Sequence, residues 1–421
     1  MLTAEDNELF TRVGPGTAGG DLLRRYWHPV CMTNEVAPEK PTRRVTLLGE
    51  QLVVYRDRRG AYGLVAEHCP HRGASLYYGY VEEEGIRCAY HGWLFNKEGR
   101  CLEQPFEPKQ ETTRDAFRHP AYPVQELGGL LFAYLGPQPA PLLPKWDVLA
   151  REDGNRAVEA HELLNCNWLQ CQENSLDPSH TYYLHLRRMV EKGKFRGREL
   201  RAPERCLFQE HPFGIVKRRI FGGDGKLQWE QLGHPAIFPN ILRHATERPS
   251  ANGDPTPEEA SAWPIDLQIR VPVDDTHTQI YIIYFTPTPD GALDGVRGEP
   301  TFTRLSVRDE NGDFHLETFP SQDEMAWETQ GPIADRTVER LGVSDMGIAI
   351  WRRLLHEQIK IVQDGGDPMC VFRSHGGVID VGPSREWNGE RYVPKAWDGW
   401  GDGKVWTTPN VWLGHETAAA S

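Results

Sequence analysis

Two stretches of this 421-residue chain carry metal-binding side chains at informative spacings. The first, "CPHRGASLYYGYVEEEGIRCAYHGW", sets Cys69-x-His71 and Cys88-x-x-His91 on two glycine-bearing loops. Gly73 and Gly92 allow tight turns close to a metal, and Pro70 stiffens its loop. Two thiolates and two imidazoles suit zinc, or a [2Fe–2S] centre in which two histidines replace two cysteines on one iron. Zinc motifs commonly join cysteine to cysteine and histidine to histidine. Here each cysteine is joined to a histidine, which suits an asymmetric cluster.

The second stretch is "DPSHTYYLH", Asp177 to His185. A zinc-protease helix spaces its histidines by four, which puts both on one face. His180 and His185 are five apart, and ideal α-helix would turn the second well off that face. Either these histidines are unrelated, or the backbone between them is not plain helix; a π-type widening would bring i and i+5 together, as such bulges do at functional sites. Asp177 would then lie near His180 and fix its tautomer through the second ring nitrogen. Pro178 suits a first helical turn. Non-haem Fe(II) that activates O₂ takes two histidines and one carboxylate on one side. Asp323, Glu324, Glu328, Asp335, Asp364 and Asp367 all compete for the third place.

"CPHRGASL…CAYHGWLF" resembles the Rieske signature of aromatic ring-hydroxylating oxygenases, and "NWLQCQENSLDPSHTYYLH" is similar to their mononuclear iron motif. The resemblance implies that Cys69 and Cys88 bind one iron of the cluster and His71 and His91 the other. It implies that His180 and His185 are ligands of a mononuclear Fe(II) and that Asn174 lines its pocket. Asp177 would be the carboxylate bridging this iron to a Rieske histidine. "SQDEMAWETQGPIADRTVERLGVSD" resembles the phthalate dioxygenase-type branch and places the third ligand at Asp323, with Asp335 and Arg336 structural. Trp93 is expected to pack over the cluster, His68 to be structural, and Glu82–Glu84 to be a solvated tip.

The same resemblance implies a homotrimer or a multiple of one, in which Asp177 meets His91 of the neighbouring subunit. An external ferredoxin or flavin reductase would supply electrons from NAD(P)H, with O₂ as co-substrate. "IRVPVDDTHTQIYI", "QDEMAWETQGPIADR" and "DPMCVFR" look closer to biaryl O-demethylases than to phthalate enzymes. The expected activity is therefore oxidative O-demethylation of a methoxylated, lignin-derived aromatic acid. The alternatives are cis-dihydroxylation of phthalate or a related carboxylate and, in another class, a Rieske electron-transfer protein without mononuclear iron. Arg243 and Arg270 are the candidates to anchor a substrate carboxylate. Tyr182 and Tyr183 read as packing residues.

The elements that must position these residues change character along the chain. Residues 1–40 read as a helical lead, "EDNELFTRV", then a glycine turn and "DLLRRYWHPV". The turn "GPGTAG" fits G-x-G-x-x-G, but the dinucleotide motif needs a strand before it, and an amphipathic helix stands there. Residues 41–140 form a small all-β Rieske module, from "RVTLLGEQLVVYRD" to "GGLLFAYLGP". The proline-rich "GPQPAPLLPKW" (136–146) reads as a linker. Residues 141–421 make the catalytic domain, which the resemblance gives a curved antiparallel sheet and helices, so the class is α+β. Its strands include "GIVKRRIFGG" and the hairpin "DLQIRVPVDDTHTQIYIIYFTP", its helices cluster at 322–364, and 287–300 reads as a surface loop. The tail from about 380 has no periodicity, and "ETAAAS" is expected to fray.

A net charge of −13 argues against nucleic acid or an anionic membrane as main partner. No leader and no apolar run of ~18 residues is read, so the expected location is the cytoplasm. There the eight cysteines stay reduced, and those outside the motif serve as small buried hydrophobes.

Overall fold

The alternating stretch after residue 41 folds into antiparallel strands. Thr42–Leu47 and Glu50–Arg56 pair across the Leu48–Gly49 turn, and Tyr62–Ala66 and Ala121–Tyr122 extend this sheet to four strands. The computed structural model describes residues 1–193, 203, 205–223, 226–245, 264–288, 299–374, 376–381, 385–387, 392–394 and 404–407. Most of the loop expected at 287–300, most of the tail from 380 and all of "ETAAAS" lie outside the described residues.

Four short strands, Tyr80–Val81, Ile86–Arg87, Leu94–Phe95 and Cys101–Glu103, make a second sheet, and the Cys88–His91 loop joins its middle two. A third sheet has Leu130–Tyr134 at its centre, flanked by Val124–Leu127 and Trp27–Met32. Every residue of Trp27–Met32 is buried, so the lead ends in a strand of this sheet. Before it, Ala4–Thr11 and Ala18–Leu23 are helices, each capped by a threonine hydroxyl, Thr3 and Thr17. "GPGTAG" joins these two helices, and no strand precedes it. The proline-rich segment is tied down at both ends. Trp27 Nε1 donates to Pro141 O (3.0 Å), Leu142 N–H to Phe372 O (2.8 Å), and Trp146 is buried.

The second half is built on a nine-stranded sheet. Its order is Thr301–Leu305, Gly154–His161, Thr278–Pro287, Ile265–Pro272, Ile241–Ala245, Lys226–Ile237, Gly214–Gly223, Arg205–His211, Val405–Thr407. Neighbours pair antiparallel except at one edge, where Gly154–His161 and Thr301–Leu305 run parallel. The expected antiparallel sheet is therefore a mixed one.

The strand period of two divides the work of this sheet. Odd positions such as Leu267, Ile269, Val271, Tyr281, Ile283 and Phe285 enter the main core. Even positions face the helices Trp168–Asn174 and Phe319–Glu328, where Ile280 and Ile282 pack with Cys171 and Trp327. A longer helix, Met346–Gln363, buries Ile350, Trp351, Leu354, Leu355, Ile359 and Val362 at helical spacing.

Candidate metal centres

Cys69 and Cys88 open two turns of the same build. Gly73 N–H donates to Cys69 O (2.9 Å) and Gly92 N–H to Cys88 O (3.0 Å). Cys69 N–H in turn donates to Ala74 O (2.9 Å) and Cys88 N–H to Trp93 O (2.8 Å). Both glycines sit at φ +74°, which costs other residues about 1–2 kcal/mol.

The turns sort their side chains like with like. The two cysteines are both buried and near enough for their charges to act on each other, and the His71 and His91 rings meet edge to face at 4.4 Å. Burial pushes the Cys69 thiol up to about 12, and the charge of Cys88 adds to it. A bound cation inverts that balance in favour of thiolates. His71 Nδ1 is buried with no hydrogen-bond partner, a lone pair directed at nothing in the protein. Two facing thiols, two facing imidazoles and that orphaned nitrogen fit a cluster with one all-cysteine and one all-histidine iron. Trp93 stacks on His71 at 4.6 Å with planes 6° apart. His68 is exposed, bonded to Gly73 O and Gln51 Oε1.

At the second centre, Thr181–Arg187 is π-helical, which brings the i and i+5 imidazoles together. His180 and His185 lie with ring planes 81° apart. Asp323, on the helix Phe319–Glu328, places Oδ1 3.2 Å from His185 Nε2 and 3.6 Å from His180 Nε2. Among the described residues these three form the only group of three potential ligands whose donor atoms all lie within 4.8 Å of one another. Adjacent ligands ~2.1 Å from one metal stand about 3 Å apart, so the set fits a single ion with open positions opposite.

The far nitrogens explain how the near ones are aimed. His185 Nδ1 donates to Gln322 Oε1 (2.8 Å), and Gln322 Nε2 donates to Leu316 O (2.9 Å), which fixes the amide. His180 Nδ1 lies 3.3 Å from Asp177 Oδ2, while Asp177 Oδ1 accepts from Ser179 N–H (2.6 Å). Burial raises the Asp177 and Asp323 carboxyls, but the adjoining histidines outweigh it and hold both below the usual carboxylate range. Asn174 Nδ2 reaches Asp323 Oδ1 at 3.5 Å. Gln322 was not singled out by sequence reasoning, although it precedes Asp323 in the Gln-Asp step that the family match used.

The framework behind these ligands is charged and buried. Glu173 accepts from Arg336 (2.8 Å) and Arg352 (2.7 Å), and Arg352 also pairs with Glu339. Removing one member of such a network costs about 3–5 kcal/mol. Arg336 is thus structural, as expected, and Asp335 accepts from Thr337. Asn167 caps the helix Trp168–Asn174 and donates to Thr11 O and Asp275 O, so the lead helix braces the iron helix. From the sheet, Lys217 Nζ donates to Asp177 O (2.9 Å) and Arg219 Nε to Pro178 O (3.2 Å). Pro178 lies in a bend before the helix, not in its first turn.

The two candidate arginines separate. Arg243 is buried and bound by both oxygens of Asp147 and by His244 O, the arrangement of a structural ion pair. Arg270 is 1 % exposed and lies over Trp327, with Nη2 on Gln268 Oε1 (2.9 Å) and Nε without a partner. It is a buried cation over the helix Phe319–Glu328, close enough for its charge to act on Asp323. Tyr182 and Tyr183 meet edge to face at 5.0 Å, as packing residues do.

Two family models match the chain, "Rieske [2Fe-2S] domain" over residues 26–123 and "LigXa C-terminal domain like" over residues 302–382. The chain is 39% identical over 383 residues to the 5,5'-dehydrodivanillate O-demethylase oxygenase subunit of Sphingobium sp. (strain NBRC 103272 / SYK-6), covering 89% of this chain and 84% of that one. It is 34% identical to the phthalate 4,5-dioxygenase oxygenase subunit of Pseudomonas putida, over 87% of this chain and 88% of that one. The chain belongs to the Rieske non-haem iron oxygenases. Like other oxygenase components of this family it is an O₂-incorporating oxidoreductase of the phthalate dioxygenase branch, with a Rieske cluster and a mononuclear iron. The fold agrees with the oxygenase in a ferredoxin complex of carbazole 1,9a-dioxygenase, at TM-score 0.61 and 20% identity, covering 87% of this chain and 99% of that one. Family members act on aromatic substrates with electrons from ferredoxin or reductase partners. No helix among the described residues is long and apolar enough to cross a membrane.

Proposed function

We propose that this Rieske oxygenase component carries out oxidative O-demethylation of a methoxylated aromatic acid with two linked rings, of the kind lignin yields. The observation that carries the chemistry is the group of His180, His185 and Asp323, with donor atoms within 4.8 Å of one another and the outer nitrogens beside Asp177 and Gln322. The substrate class rests on the 39% identity to a relative named for dehydrodivanillate, against 34% to one named for phthalate. In this reading Cys69, Cys88, His71 and His91 hold the cluster, and His180, His185 and Asp323 hold the iron. When bound, the iron supplies O₂ activation and the cluster supplies single electrons.

The chain's own groups do the rest. Asp177 and Gln322 keep protons on Nδ1 of the two histidines, so each Nε2 offers a lone pair. Asn174 restrains the Asp323 oxygen, and the apolar cluster of Ile280, Ile282 and Trp327 packs the helix that carries Asp323 against the sheet. The overall reaction takes the aryl methyl ether, O₂, two electrons and two protons to phenol, formaldehyde and water. Asp177 would meet His91 of a neighbouring subunit in a homotrimer or a multiple of one, and an external reductase would deliver electrons from NAD(P)H. The eight free thiols fit a cytoplasmic location.

The test is a product screen with a surrogate reductase over methoxylated biaryls, methoxybenzoates and phthalates. Formaldehyde released in step with phenol from a biaryl is expected. A cis-diol from phthalate without formaldehyde would replace demethylation by dihydroxylation. An iron content near two per chain, not about three, would leave only an electron carrier.

A further inference from the structure

The iron-facing side of the sheet carries a row of polar residues that the iron chemistry does not use. Lys217 lies opposite His234 across one strand pair, and His244 lies opposite Asp266 across another. Between them the His234 and His244 rings stack at 4.0 Å with planes 28° apart. Asp266 in turn lies opposite Tyr284. One end of this row is tied to the iron turn, because Lys217 Nζ donates to Asp177 O. His244 stands two strand spacings from Lys217, about 10 Å further along the sheet. His244 thus lies on the same side of the sheet as the lysine that holds the iron turn, further from that turn than Lys217 is.

The hydrogen bonds fix what His244 offers. Asp266 is 4 % exposed, and its Oδ1 accepts from Gln268 Nε2 (3.0 Å). Gln268 Oε1 accepts from Arg270 Nη2, so the amide cannot be turned. The other oxygen, Oδ2, lies 3.0 Å from His244 Nδ1 and can only accept, so Nδ1 carries the proton. In the neutral ring Nε2 is then an acceptor, and it has no partner among the described residues. His234 below is buried, whereas the His244 side chain is 36 % exposed, so His244 is the imidazole of this pair that a ligand can reach.

We infer that His244, aimed by Asp266 and seated on His234, accepts a hydrogen bond from a phenolic hydroxyl on the substrate ring remote from the iron. The inference rests on the two-ring reading above and names a specificity residue for it. A neutral hydrogen bond of this kind is worth about tenfold in binding.

The experiment compares two methoxylated biaryls that differ only in the far ring, one with a phenolic hydroxyl and one with hydrogen there. With the wild-type holoenzyme and a surrogate reductase, kcat/KM for the phenol is expected to be about tenfold higher, and its Kd by calorimetry about tenfold lower. His244→Phe keeps a ring over His234 and should bring both ratios to about one, while His244→Gln, which keeps an acceptor, should restore part of each. Iron content and the visible cluster spectrum are measured on every variant. A ratio near one in the wild type, or one that persists in His244→Phe, overturns the assignment while leaving demethylation standing. Absence of formaldehyde from both biaryls overturns the demethylation reading and this inference together.

Discussion

The two candidate metal centres are built by opposite means. The Cys69–Gly73 and Cys88–Gly92 turns repeat one backbone pattern, and each ligand is aimed mainly by its own loop. The His180–His185–Asp323 centre joins a π-helical turn to a helix about 140 residues away, and side chains do the aiming. A loop-built site tolerates change around it but not in its turn. A side-chain-built site transmits changes from Asp177, Gln322 and Asn174 to the metal.

The contrast can be broken most strongly at the second centre. Asp323→Ala is expected to abolish turnover, a loss of at least about 10³-fold, while the reddish cluster spectrum stays unchanged. Asp177→Asn should keep both metals yet slow single-turnover reduction of the iron by about 10²-fold. Retained turnover in the first would move the ligand elsewhere, and unaltered single-turnover kinetics in the second would remove Asp177 from the electron path.

Gln322→Leu tests the aiming of His185. Iron affinity should fall about 10- to 100-fold in a metal titration, with no change in cluster content. Iron binding that ignores this change would mean that the π-helical turn alone orients the ring. The smallest effect is expected from Gly92→Ala, which forces a side chain into φ +74° beside Pro105 Cγ, 3.2 Å from the new Cβ. It should cost about 1–2 kcal/mol, read as a lower Tm of cluster loss, and leave mononuclear iron content as it was. Equal loss of both metals would erase the distinction between the two building modes.

The same difference decided what could be read in advance. The Rieske loops were legible because their ligands, glycines and turns lie within 25 residues of one another. The π-helical turn was legible because a five-residue spacing makes no sense on an α-helix. The third ligand was open among six carboxylates on residue type alone, since no local rule joins residue 323 to residue 180; the family match chose Asp323. Gln322 stayed hidden for the same reason. Its role depends on a glutamine amide meeting a ring from another element. Arg243 and Arg270 looked equivalent on their strands, and only the fold shows that one is clamped by Asp147 and the other held by Gln268 over Trp327. The parallel edge pair and the strand at Trp27–Met32 were missed because both are set by distant partners.

The alternation along Ile265–Pro272 and Thr278–Pro287 has a consequence for how a substitution in this segment is felt. Odd letters of these strands hold the main core, and even letters such as Ile280 and Ile282 are buried against the helices Trp168–Asn174 and Phe319–Glu328. A change on either track therefore disturbs packing, but only the even track passes the disturbance straight to the helices that carry Asn174 and Asp323.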